Sequence, residues 1–168
     1  MISFKKIEDE EELIFLNEVR NDCAEQFLHN PSTYTLKETK LWYFIIKVPY
    51  YIVHLNGSKI GYFRLSNYSK ENNTMYIGMD LHKDYRGKGL AYQSYIKFIP
   101  YIFNLYNLNK LSLEVLSTNI PAYKLYKKLG FIEEGRKRQE IYRHNEYIDS
   151  IIMSMLKTEM LSNKIYGQ

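Results

Sequence analysis

Apolar and polar residues alternate from Ile2 to Ile7, the period of an edge strand. From Glu10 to Arg20 the period lengthens, and Leu13, Leu16 and Val19, with Ile14 and Phe15 beside them, recur at helical spacing. Asp22–Leu28 predicts a second short helix, and Asn30-Pro31 breaks the chain. Thr35-Leu36-Lys37-Glu38 reads as a capping box: the Thr35 hydroxyl accepts an amide and Glu38 reaches back, so a helix is predicted from there to about Ile46. Tyr50–Leu55 and Lys59–Ser66 flank Asn56-Gly57, the strongest short hairpin signal. After a turn at Glu71–Asn73, a strand is predicted over Thr74–Leu81, with Met75, Ile77, Met79 and Leu81 on one face. Gly89–Tyr106 reads as a long helix containing Pro100; an interior proline costs about 3 kcal/mol, which predicts a kink or an early end there. Leu111–Leu116 is a short buried strand, Ile120–Leu129 a helix closed by Gly130, and Phe131–Tyr142 with Tyr147–Leu156 a final hairpin. Residues 158–168 read as a loose tail.

The resulting order, β-αα-ββ-β-α-β-α-ββ, is that of an α+β (mixed α/β) chain. A right-handed crossover through the Gly89–Tyr106 helix would make Thr74–Leu81 and Leu111–Leu116 a parallel pair inside a mixed sheet. The 168 residues suit a single domain with a sizeable core, and no repeat or linker interrupts them. No segment approaches the ~20 apolar residues of a membrane helix. Met1–Lys6 runs into the acids of Glu8–Glu12 rather than an apolar signal core. Cys23 is the only cysteine, which excludes an internal disulfide and a cysteine metal cluster and fits a cytoplasmic setting. The net charge of +4 is modest, and the short pairs Lys127-Lys128 and Lys137-Arg138 are too small for a nucleic-acid arm. His29, His54, His82 and His144 show no metal spacing, and no metal is expected. No membrane partner or nucleic-acid partner is expected either. The 17 tyrosines receive no functional account beyond packing at half-buried positions.

Asp84-Tyr85-Arg86-Gly87-Lys88-Gly89-Leu90-Ala91 lies between a predicted strand and a predicted helix. A helix start offers unpaired amides and partial positive charge; Gly87 and Gly89 allow close approach, Ala91 keeps the first turn lean, and Arg86 and Lys88 add charge. This is a cradle for a pyrophosphate. It is not a Walker loop, and Tyr92 stands where the dinucleotide fingerprint needs its third small residue. The string Arg86-Gly87-Lys88-Gly89-Leu90-Ala91 resembles the coenzyme A loop of the GNAT acetyltransferase superfamily, Gln/Arg-x-x-Gly-x-Gly/Ala. Asn119-Ile120-Pro121-Ala122-Tyr123-Lys124-Leu125-Tyr126-Lys127-Lys128-Leu129-Gly130-Phe131 resembles the family's later motif of Asn, Ala, Tyr and Gly-Phe. The element order is also the family's, over residues 2–157.

The resemblance implies a twisted, mostly antiparallel mixed sheet of about seven strands flanked by about four helices, and an acetyl-CoA-dependent N-acetyltransferase that works by direct attack of a primary amine on the thioester. It places the coenzyme A pyrophosphate on Arg86–Ala91 and the pantetheine arm along the backbone of Met79, Asp80 and Leu81. Asn119 would bond the cofactor near its middle, or cap its helix, or both. Tyr126 would protonate the departing thiolate; a phenol of pKa ~10 holds its proton where a thiol of ~8.5 begins to lose it. Many relatives carry a glutamate where this chain has Tyr76, so Asp80, Glu114 and water all stay open as acceptors of the amine proton. His82 lies near the loop, with a plain surface role as the alternative.

Val19-Arg20-Asn21-Asp22, and the closing hairpin from Phe131 to Arg138 and Tyr147 to Ser150, resemble the branch that contains ribosomal-protein N-terminal, spermidine and nucleotide-sugar N-acetyltransferases. Arg20 and Asn21 would line the acceptor cleft. The acceptor expected first is an amino sugar carried on a nucleotide, because a basic balance suits an anionic substrate. Protein N-termini and polyamines or other small amines stay open, as does a non-enzymatic acyl-CoA-binding sensor. A monomer or homodimer is expected.

Overall fold

The computed structural model describes residues 1–46 and 49–167. The elements are β1 (Ile2–Lys6), α1 (Glu10–Phe27), α2 (Leu36–Ile46), β2 (Tyr50–Leu55), β3 (Ser58–Ser69), β4 (Thr74–Leu81), α3 (Leu90–Leu105), β5 (Lys110–Leu116), α4 (Ile120–Leu129), β6 (Ile132–Arg143), β7 (Glu146–Leu156) and α5 (Lys157–Ser162). Short 3-10 turns occupy Lys83–Tyr85 and Lys164–Tyr166. The strands follow the order β1-β2-β3-β4-β5-β7-β6. β1/β2, β2/β3, β5/β7 and β6/β7 pair antiparallel, and β4/β5 pair parallel, as the crossover through α3 requires. This is the α+β class and the mixed sheet that the sequence implied. Among the described residues no helix is long and apolar enough to cross a membrane.

The chain forms two compact units. The first comprises Met1–Ser66 and Gly78–Ser94. Its α1 is one helix of 18 residues where the sequence predicted two. Leu13, Leu16, Val19, Cys23 and Ala24 make one buried stripe straight across the expected break. Asn and Asp weaken helix interiors by competing for backbone bonds. Here the side chains of Asn21 and Asp22 are bonded elsewhere, to Tyr34 and to Arg86, so that competition is absent. The predicted box at the start of α2 forms, with Glu38 N donating to Thr35 Oγ1 at 3.2 Å and Thr35 N to Glu38 Oε2 at 2.8 Å. The β2–β3 turn places Asn56 and Gly57 at φ of 51° and 88°. On β4 the apolar alternation holds at Met75 and Ile77, then changes: Asp80 is buried, whereas Met79 and Leu81 are half-buried. The cause is an ion pair of Asp80 with Arg64 at 3.2 Å, made possible because Gly78 has no Cβ to collide with that guanidinium.

The second unit comprises Asn67–Ile77 and the chain from Tyr95 onward. The helix α3 does not end at Pro100 but continues to Leu105. Phe98, Ile99, Ile102 and Phe103 on either side are fully buried, and burying each such side chain contributes ~1.5–3 kcal/mol, more in sum than the ~3 kcal/mol of the proline. Strand β5 packs Leu111, Leu113 and Val115 into this core and pairs with β7 from Lys110↔Leu156 to Leu116↔Ser150. Gly130 ends α4 at φ 94°, the left-handed cap expected of it. The β6–β7 turn uses His144 and Asn145 at φ of 50° and 62°, so the pair does adopt the turn that Asn-Gly usually makes.

The segment read as a loose tail is ordered instead. Lys157–Ser162 form α5, a fifth helix beyond the four expected. Met160 is 4% exposed, and the Tyr166 hydroxyl donates to the Leu129 carbonyl at 2.7 Å. A single buried methionine and one polar anchor are too sparse to give the segment a periodic signature. Met160→Ala should lower stability by roughly 2–5 kcal/mol in urea denaturation; an unchanged midpoint would show that the segment contributes no packing.

Candidate active site

The first unit contains the end of β4 from Gly78 onward, the glycine loop and the start of α3 as far as Ser94. Gly87 and Gly89 both sit at φ 72°, a region that side chains with a Cβ rarely enter. A Cβ at either position would meet nothing within 4 Å. The glycines are therefore dictated by backbone conformation, and the space beside them is open. The first α3 bond runs from Gln93 N to Gly89 O at 3.2 Å. Among the described residues, the amides of Gly87, Lys88, Gly89, Leu90 and Ala91 have no protein acceptor. Five consecutive donors at a positive helix end, with open space beside the two glycines, fit a diphosphate.

Arg86 does something other than add free charge to this cradle. Its guanidinium donates to the Asp22 carboxylate and, through Nε, to the Leu81 carbonyl at 2.9 Å. Nη2 lies 3.0 Å from Cys23 Sγ, and the group stacks on Phe27 at 5.2 Å. Its own amide is taken by Lys83 O at 3.3 Å. Arg86 thus ties the start of the loop to α1, and the open amides begin one residue later. Lys88 stays exposed, its ammonium 6.0 Å from the Tyr85 ring. His82 is committed to structure: it accepts from Asp84 N at 3.3 Å, lies 3.5 Å from Glu18 and stacks on Phe15.

The same unit holds a cavity of about 320 Å³ whose lining includes Arg20, Tyr34, Trp42, Tyr50 and Arg64. Asn21 fixes its wall by exchanging two bonds with the Tyr34 backbone, at 2.7 and 2.9 Å. Arg20 donates to the Ser32 carbonyl at 2.6 Å and lies over the Tyr34 ring at 4.3 Å. Of the two residues expected to line an acceptor cleft, Arg20 lines this cavity and Asn21 supports it. Sequence reasoning missed Arg64, Trp42 and Tyr50. A lone arginine inside the apolar run Ile60–Leu65 was the available signal, because a cation there needs a buried partner. Burial raises the Tyr50 phenol well above its ordinary pKa, with the Asp80 carboxylate adding to the rise and Arg64 and Arg20 opposing it. Burial does the same to Tyr62, with Asp80 again adding to it.

In the second unit, Asn119 caps α4, its Oδ1 accepting from Ala122 N at 3.2 Å. Tyr126 is 8% exposed, packed edge-on against Tyr95 and Phe131, with the Tyr95 hydroxyl 3.5 Å from its own. Glu114 accepts from Lys137 at 2.8 Å and from the Ser150 hydroxyl at 3.3 Å. Tyr76 is half-buried on β4. Among the described residues no group of three or more His, Cys, Asp or Glu could hold a metal ion.

A model of the "Acetyltransferase (GNAT) family" matches residues 15–131. The uncharacterized N-acetyltransferase p20 of Bacillus licheniformis is 34% identical over 108 residues, 64% of this chain and 61% of that one. Spermidine N(1)-acetyltransferase of Escherichia coli (strain K12) is 30% identical over 119 residues, 70% of this chain and 64% of that one. The match thus spans less than two thirds of either relative's length. The crystal structure of spermidine N-acetyltransferase from Vibrio cholerae in complex with CoA and spermine superposes with a TM-score of 0.88 at 22% identity, covering 96% of this chain and 98% of that one, which establishes the shared fold.

Cys23 provides a probe of the loop tether. Burial pushes its thiol up to about 12, with the Asp80 carboxylate adding to the rise and Arg86 working against it. A raised thiol pKa leaves the unreactive neutral form dominant at pH 8. Ellman's reagent should therefore leave the native protein essentially unmodified at pH 8 and react fully in denaturant; fast reaction of the native protein would contradict the closed arrangement of Cys23 and Arg86.

Proposed function

We propose that this chain, which belongs to the Acetyltransferase (GNAT) family, acts as one N-acetyltransferase domain that transfers the acetyl group of acetyl-CoA to a primary amine. The observation that carries this reading is the row of five amides from Gly87 to Ala91 that have no protein acceptor among the described residues, two of them on glycines at positive φ. A coenzyme A diphosphate fits that row by charge, by donor count and by the open space. The backbone of Met79, Asp80 and Leu81, immediately upstream of the loop, would hold the pantetheine arm, and Asn119 would add a contact beyond its capping role. Acetyl-CoA supplies an acyl thioester, which a neutral amine attacks directly.

The protein's own work is then binding, orientation and two proton movements. Tyr126 would hold a proton for the leaving sulfur; a phenol, with an ordinary pKa of ~10, suits an acid at neutral pH. An acceptor ammonium of pKa ~10.4 must lose its proton before attack. Asp80 is engaged by Arg64 and Glu114 by Lys137 and Ser150, which leaves water as the simplest carrier and Tyr76 as a group that could orient it. The relatives' names include spermidine, and they lend no support to the amino sugar on a nucleotide that the sequence favoured. The acceptor is accordingly proposed as a primary amine.

Thiol release from acetyl-CoA that depends on an added amine tests the activity, and binding without any amine-dependent release would leave an acyl-CoA sensor instead. Gly89→Val forces a β-branched residue to φ 72° and should abolish acetyl-CoA binding in calorimetry; retained affinity would remove the loop from the site. Tyr126→Phe should lower turnover by ~10² or more while leaving acetyl-CoA affinity within a few-fold, the pattern of a lost positioned acid. Equal turnover would exclude Tyr126 from the chemistry.

A further inference from the structure

The cavity of the first unit has an unusual charge balance. Among its described lining residues are two arginines, Arg20 and Arg64, and no carboxylate. Arg64 has its counter-ion beneath it, since Asp80, only 6% exposed, sits 3.2 Å from Nη1. Arg20 has none: its partners are the Ser32 carbonyl and the Tyr34 ring, and no carboxylate pairs with it among the described residues. Among the described residues one guanidinium is compensated and the other is not, so the cavity keeps a net positive charge beside its aromatic walls.

The uncompensated group is also held in place. Tyr34, on which Arg20 stacks, is fixed through its backbone by Asn17 and Asn21 and through its hydroxyl by Asn30 at 2.9 Å. A planar guanidinium stacked on a fixed ring presents its donors in one orientation, which suits carboxylate or phosphate oxygens better than a mobile lysine would. Trp42 and Tyr50 pack edge to face at 5.4 Å and supply apolar surface beside these donors. At about 320 Å³ the cavity lies near the lower end of the ~300–1,000 Å³ common for small-molecule sites, so it suits a compact group.

We propose that this cavity binds an oxyanion, a carboxylate or phosphate carried by the amine acceptor, with Arg20 as its main partner and Arg64 as the second. The substrate class is then a compact amine that also bears a negative charge. A polyamine would bring like charge to Arg20. This deepens the acetyltransferase reading and rests on it for the word acceptor, but the binding itself does not need turnover.

Trp42 is the chain's single tryptophan and lines the cavity, so its fluorescence reports this site directly. Glucosamine 6-phosphate and glucosamine form a matched pair that differs only in the phosphate, inorganic phosphate tests the anion alone, and spermidine supplies the opposite charge. Glucosamine 6-phosphate should change the emission saturably, with an affinity at least tenfold above glucosamine and above spermidine. Arg20→Gln should weaken it at least tenfold, and Arg20→Lys, which keeps the charge, should recover part of the loss. Added salt should weaken the phosphate-bearing ligand and should not weaken glucosamine, which lacks the anion. Equal binding of glucosamine, preference for spermidine, an affinity indifferent to Arg20→Gln, or no saturable change with any of the four would overturn the proposal. The same pair run in the thiol-release assay separates the two readings. Turnover without preference for the phosphate-bearing amine defeats the oxyanion site alone, whereas selective binding with no amine-dependent turnover defeats the acetyltransferase reading alone.

Discussion

An α-helix cannot satisfy its own first amides. In this protein the chain before α3 leaves that debt open rather than closing it with a side-chain cap. His82 caps the short turn upstream and Asn119 caps α4, but among the described residues no side chain reaches the amides of Gly87–Ala91. Two glycines at φ 72° set the backbone of this row, and the space beside each of them is open. The acetyltransferase reading depends on that arrangement, because a capped helix start would have no reason to hold a phosphate.

The loop does not stand alone. Arg86 joins it to α1 through Asp22, Cys23 and Phe27, and to the end of β4 through the Leu81 carbonyl. This explains how α1 tolerates Asn21 and Asp22 in its interior: each is bonded to a neighbouring segment instead of to the helix. The same helix contributes Arg20 and Asn21 to the cavity, so one turn of α1 serves both the loop and the pocket. Asp80 has a corresponding position on β4, the strand that leads to the loop, where it is buried as the counter-ion of Arg64 in the cavity lining.

Much of the fold could be read from the sequence because it is written in local signals. The Thr35–Glu38 box, the Asn56-Gly57 turn and the Gly130 cap are each decided by a few neighbouring residues, and each forms as expected. The errors came where distant partners decide. Continuity of α1 past Asn21 depends on Tyr34 and Arg86, and order in α5 depends on Met160 and Tyr166. The site divides in the same way. The glycine loop was legible because glycine spacing is a property of the chain itself. The pairing of Arg64 with Asp80, the commitment of Arg86 to Asp22 and the convergence of Arg20, Trp42 and Tyr50 on one cavity were not, since each joins residues far apart in sequence.

The central claim concerns five peptide nitrogens, and they can be observed one by one. In an amide-resolved NMR titration with coenzyme A, the signals of Gly87, Lys88, Gly89, Leu90 and Ala91 should shift together and saturably, and 3′-phosphoadenosine lacking the diphosphate should leave them in place. If coenzyme A saturates the protein while those five signals stay where they were, the diphosphate is held elsewhere and the account of the loop fails.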